Sequence, residues 1–175
     1  MIIAIAIAVK PRVKKYLMRL YGTDKIRFKK SYDPIHFQFL SLLDRPSITF
    51  RNPNYKKLDS KEKVEFLISE DMKERSGCVV SEENVLHFNF FIDYLIKKEF
   101  FLYVDSFIIR NTKDGERVRI KIAIDRFMEE YELTEDDIKF ETLKKAYYRY
   151  KRKKQKKCSV KLSLKKVRMS LKKSA

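Results

Sequence analysis

The stretch 100–124, FFLYVDSFIIRNTKDGERVRIKIAI, decides what kind of fold the second half of this chain adopts. Residues 100–110 are crowded with aromatic and β-branched side chains, which suit a strand better than a helix. Asn111, Asp114 and Gly115 are turn formers. In 117–124, Val118, Ile120, Ile122 and Ile124 alternate with Arg117, Arg119, Lys121 and Ala123, the period of a half-buried strand. The expectation is a β-hairpin near 100–124, with a helix beginning only at Asp125. A helix is the alternative for the latter half, because Ile120, Ile124, Phe127 and Tyr131 fall at i, i+4, i+7 and i+11. In both cases Phe127, Met128 and Tyr131 belong to the core.

Upstream of that stretch, Ser81 is placed to cap a helix over 82–99, and Glu82 and Glu83 suit its first turn. Val85, Phe88, Ile92 and Leu95 recur at helical spacing, and Leu86, Phe91 and Ile96 widen the apolar face. So wide a face implies burial on two sides within one chain, or a homo-oligomer formed through this aromatic central helix. Nearer the N-terminus, Ile3 to Val9 alternates Ile with Ala, a strand suited to a sheet covered on both faces. Pro11 and the Asp33-Pro34 pair mark helix starts, and Gly22 marks a stop. The stripes are Val13, Leu17 and Leu20, then Ile35, Phe39 and Leu42. The charges Lys14, Lys15 and Arg19 read as a solvated face. Short strands are expected at 25–29 and 47–51, a loop at 52–59, and a strand or helical turn at 63–69.

Downstream, Thr134 is an N-cap with Asp136 and Asp137 in the first turn. The following helix either runs unbroken over 135–155 or restarts near Glu141. Its apolar side holds Leu143, Ala146, Tyr147 and Tyr150. Around it lie Lys144, Lys145, Tyr148, Arg149, Lys151 and Arg152, followed by Lys153, Lys154, Lys156 and Lys157. A helix fits the major groove of DNA, and cations along it neutralise phosphates and release counterions. Tyrosine can bond phosphates or stack on an exposed base. These residues are the candidate nucleic-acid-binding set, on a helix-turn-helix-like unit.

The charge distribution points the same way. The chain carries +17, and 149–175 holds 13 Lys or Arg with no acid, leaving +4 on the rest. Such asymmetry calls for a polyanion. In the tail, Val160, Leu164, Val167 and Leu171 fall at i, i+4, i+7 and i+11, with Lys161, Lys165, Lys166 and Arg168 mostly elsewhere around the helix. This basic amphipathic segment could fold on nucleic acid, a partner or an anionic membrane. Nucleic acid comes first, since no aromatic anchor suits a membrane.

Catalytic constellations are not evident. His36 and His87 stand alone, glycines Gly22, Gly77 and Gly115 form no phosphate loop, and Cys78 and Cys158 show neither zinc nor disulfide spacing. The acidic run from Glu129 to Asp137 could hold a nuclease metal, but capping and solvation account for it. No cofactor or metal is expected, and no enzyme. MIIAIAIAV is too short for a membrane span and lacks the basic start of a signal peptide.

The expected class is α+β: an N-terminal strand-and-helix body with the central helix over 1–110, a helix-turn-helix-like unit over 111–157, and a basic amphipathic tail over 158–175. The segment AIDRFMEEYELTEDDIKFETLKKAYYRYKRK, with its Thr134-Glu135-Asp136-Asp137 cap and Tyr/Arg-rich helix, resembles the C-terminal segments of small proteins of bacterial phages and mobile elements. That resemblance implies such a context and no particular reaction. The expected function is DNA binding in transcription, replication or maintenance, with DNA ahead of RNA, in the cytoplasm of a bacterial host. The alternative is a structural or genome-packaging protein of a virion, whose tail holds nucleic acid or a neighbouring subunit.

Overall fold

The computed structural model describes residues 1–27, 33–43, 58, 60–111 and 115–173, with side chains as far as Lys156. The chain forms two compact units: Met1–Phe100 with Glu129–Leu133, and Phe101–Met128 with Thr134–Ala175. The expected strand over 47–51 lies outside the described residues, as does most of the 52–59 loop and the end of the 25–29 strand.

The first unit is built on a three-stranded sheet. Strand β1 (Ile2–Ala8) pairs antiparallel with β3 (Lys63–Ser69), and β2 (Lys25–Arg27) pairs parallel with β3, giving the order β1-β3-β2. The register sets Ile5 against Phe66, Ile7 against Val64 and Ile26 against Phe66, so these side chains share the core face. Ala4 and Ala6 are exposed on the other face. The sheet is therefore covered on one side among the described residues, not on both as the Ile/Ala alternation suggested.

Helix α1 (Pro11–Tyr21) starts on Pro11 and ends at Gly22, whose left-handed φ of 72° lets its N–H close on the Met18 carbonyl. It buries Val13, Tyr16 and Leu17. Leu20 is exposed, and Tyr16 takes the inward place expected of it. Helix α2 (Pro34–Ser41) is capped by Asp33, which accepts from the Ile35 and His36 amides. Phe39 stacks on Phe66 at 4.1 Å, and Phe88 meets both rings edge-on. A short helix α3 (Glu70–Ser76) follows β3.

Polar contacts tie this unit together. Asp93 accepts from Lys10 Nζ at 2.8 Å and from Arg12 Nε and Nη2 at 2.6 and 2.8 Å. Asn89 accepts from the Lys10 amide and donates to the Ala8 carbonyl. Lys14 pairs with Glu62, Lys15 donates to the Glu132 carbonyl and Arg19 pairs with Glu130. The basic side of α1 is thus largely engaged by protein acceptors, not simply solvated.

The stretch 100–124 is helical, and the expected hairpin is absent. Helix α4 spans Glu82–Arg110, well beyond the expected 82–99, with Ser81 accepting from the Asn84 amide at its start. Phe88, Ile92, Ile96, Phe100 and Val104 are each at most 3% exposed. That i, i+4 ladder carries the helix through an aromatic, β-branched segment, and neither Gly nor Pro interrupts it. Intrinsic strand preference is a weak prior beside this burial. Helix α5 (Glu116–Glu130) follows, so the helical spacing of Ile120, Ile124 and Phe127 governs. Val118, inward in the expected strand, is 52% exposed. Helix α6 runs Phe140–Lys173. The α+β class holds, with all the described sheet in the first unit.

Candidate nucleic-acid interface

The candidate interface residues lie in the second unit, on α6. Between α5 and α6, Asp137 Oδ2 accepts from the Thr134 amide and hydroxyl, and the Glu135 carboxylate accepts from the Phe140 amide. These bonds close a separate turn ahead of the helix. Of the two starts foreseen, the later one is realised, at Phe140 beside Glu141.

The inward side of α6 is fixed by packing and by one carboxylate. Leu143 and Tyr147 are 1% and 2% exposed. Tyr150 stacks on Phe101 with ring centroids 4.5 Å apart and planes 7° from parallel. Asp105 accepts from the Tyr147 hydroxyl at 2.8 Å, the Tyr150 hydroxyl at 3.1 Å and Lys154 Nζ at 2.6 Å. Burial raises the Asp105 pKa, but the hydrogen bonds from Lys154, Tyr147 and Tyr150 outweigh it and hold the carboxyl below its usual range. Burial, then the bond to Asp105, pushes the Tyr147 phenol up. Lys151 pairs with Glu116.

This sorts the expected site residues into four sets. Lys151 and Lys154 lie on the packed flank and are paired with protein carboxylates. Lys144 pairs with Glu141 at 2.8 Å, which raises its amine pKa, and it shares a groove with Tyr148. Lys145, Arg149, Arg152 and Lys156 are exposed. They recur at steps of four, three and four. At 3.6 residues per turn they fall within an arc of about 60°, opposite Leu143 and Tyr147, over about 16 Å of helix. Lys153 is exposed on the edge of that arc. For Lys157, Lys161, Lys165, Lys166 and Arg168 the backbone is helical, and their side chains lie outside the described residues.

Arg117, Lys121 and Phe140 were absent from the expected set. With Ile120, Glu141, Lys144 and Tyr148 they line a groove of about 780 Å³ between α5 and α6. Reading 117–124 as a strand put Arg117 and Lys121 merely on one strand face. As a helix, their i, i+4 spacing stacks them on one side. That spacing was the available signal.

Elsewhere, His36 is buried on α2, and His87 is on α4 beside Glu83 at 3.6 Å. Among the described residues no group of three or more His, Cys, Asp or Glu is placed to hold a metal, and no helix is long and apolar enough to cross a membrane. Compared with known proteins, the chain matches no family model, no curated protein and no solved structure.

Proposed function

We propose that the protein binds DNA along the exposed basic face of α6, in transcription, replication or maintenance of a phage or mobile element within a bacterial cytoplasm. The observation that carries this is the shared arc of Lys145, Arg149, Arg152 and Lys156, opposite the packed Leu143 and Tyr147. Packing and the Asp105 bonds fix the inward side of the helix, so little order has to be created when the outer face meets phosphates. Beyond the arc, the lysine-rich sequence to the C-terminus adds charge without an acid to offset it. The role is binding, with no catalytic step.

The test is a titration of labelled duplex DNA with the full chain and with a variant carrying Lys145→Gln, Arg149→Gln, Arg152→Gln and Lys156→Gln. The variant should bind substantially more weakly at moderate salt. Equal affinity removes α6 from the interface, and no binding by the parent chain removes the proposal.

A second role, holding packaged genome in a virion, is favoured by the composition of the arc. It offers only lysine and arginine, with no Asn or Gln to read adenine edges. Competition between a selected and a scrambled duplex separates the two. A preference supports regulation, and indifference supports packaging.

A further inference from the structure

The groove between α5 and α6 is distinct from the basic arc and lies beside it. Arg117 and Lys121 stand one turn apart on α5 and are exposed. Across from them Lys144 and Tyr148 stand one turn apart on α6 and are half-buried. Phe140 and the buried Ile120 form part of the lining. Lys144 Nζ sits 6.0 Å from the Phe140 ring centroid and bonds Glu141 at 2.8 Å. Glu141 is the one carboxylate among the lining residues, against three cations. Two aromatic rings and a surplus of positive charge therefore share one concave site.

We propose that this groove takes an unpaired nucleotide of a DNA strand. This rests on the DNA-binding role of α6 and specifies the form of DNA it holds. The base lies against the Tyr148 ring, and the flanking phosphates meet Arg117 and Lys121. A base inside a duplex is already stacked on its neighbours and does not offer its face to a ring. An unpaired base does, and every base has such a face, so the contact tolerates sequence. The phosphates of the same strand supply the negative charge that Arg117 and Lys121 complement. The adjoining arc of Lys145, Arg149, Arg152 and Lys156 continues the track for the strand outside the groove.

The full chain is titrated against fluorescein-labelled oligothymidylate, a blunt duplex of equal length and an oligouridylate. Tyr148→Leu should weaken single-strand binding by about tenfold and duplex binding by much less, and Tyr148→Phe should keep the parent affinity. Arg117→Ala with Lys121→Ala alters only exposed α5 positions, and should weaken the single strand more than the duplex. Two results overturn the groove while leaving the α6 role intact: Tyr148→Leu without effect, or equal losses for single strand and duplex in both variants. Tighter binding of oligouridylate than oligothymidylate overturns the assignment to DNA. If the parent chain binds none of the three, the groove and the α6 role fall together.

Discussion

Asp93 sits almost out of water, and two cations keep it charged there. Burial raises its pKa, but hydrogen bonds from Arg12 and Lys10 outweigh it and hold the carboxyl below the usual range. Asp93→Asn removes the charge and leaves Lys10 and Arg12 facing a neutral amide. It should cost about 2 kcal/mol in urea unfolding near neutral pH. The pH dependence follows from the direction of the shift. The stabilisation is complete above the unfolded carboxyl value of about 4 and is lost as pH falls through the folded value. The gap between parent and variant should therefore close in acid. Tyr16, Tyr21, Tyr131 and Tyr147 show the opposite linkage. Burial first, then a bond to Glu99, Asp33, Glu99 and Asp105 respectively, pushes each phenol up. Their stabilisation is full below about pH 10 and is lost as pH rises further. Phenolate absorbance for these four should appear together with unfolding. Early, complete titration of all ten tyrosines in the folded chain would contradict this.

At the scale of elements, the end of α4 is held by a residue of α5. Arg119 Nη1 donates to the Ile108 and Asn111 carbonyls at 2.8 and 2.7 Å, placing a cation at the negative end of α4. Arg119→Met keeps most of the apolar stem and deletes both bonds. It should lower stability by about 1–2 kcal/mol, read as a fall in Tm, with Arg119→Lys recovering part of it. What the residues revealed in advance divides along physical lines. Pro11, Gly22, Asp33 and Ser81 mark their helix ends because capping depends on neighbours within a few residues. The stretch 100–124 misleads because its local chemistry favours strand. Its helix is secured by burial of Phe100 and Val104 on a ladder that begins at Phe88. The candidate interface is legible to the same extent. The excess of cations on α6 is plain, whereas their sorting is not. Asp105 and Glu116, which claim Lys154 and Lys151, are distant in sequence, and both fall in segments assigned to the hairpin.

At the scale of the whole molecule, charge and packing are distributed unequally. The C-terminal residues 149–175 hold +13 of the net +17. In the first unit Asp93 is engaged by Lys10 and Arg12 and Glu99 by Tyr16 and Tyr131, whereas Lys145, Arg149, Arg152 and Lys156 on α6 are exposed. An interaction through these four cations is governed by phosphate neutralisation, and its affinity must fall steeply with salt. The most direct measurement is the slope of log affinity against log salt for duplex DNA. It should be taken on the full chain and on the variant with Lys145, Arg149, Arg152 and Lys156 changed to Gln. Loss of four phosphate contacts should make the slope shallower by about 3 to 4. An unchanged slope would contradict the account, because the four cations would then make no contact with DNA.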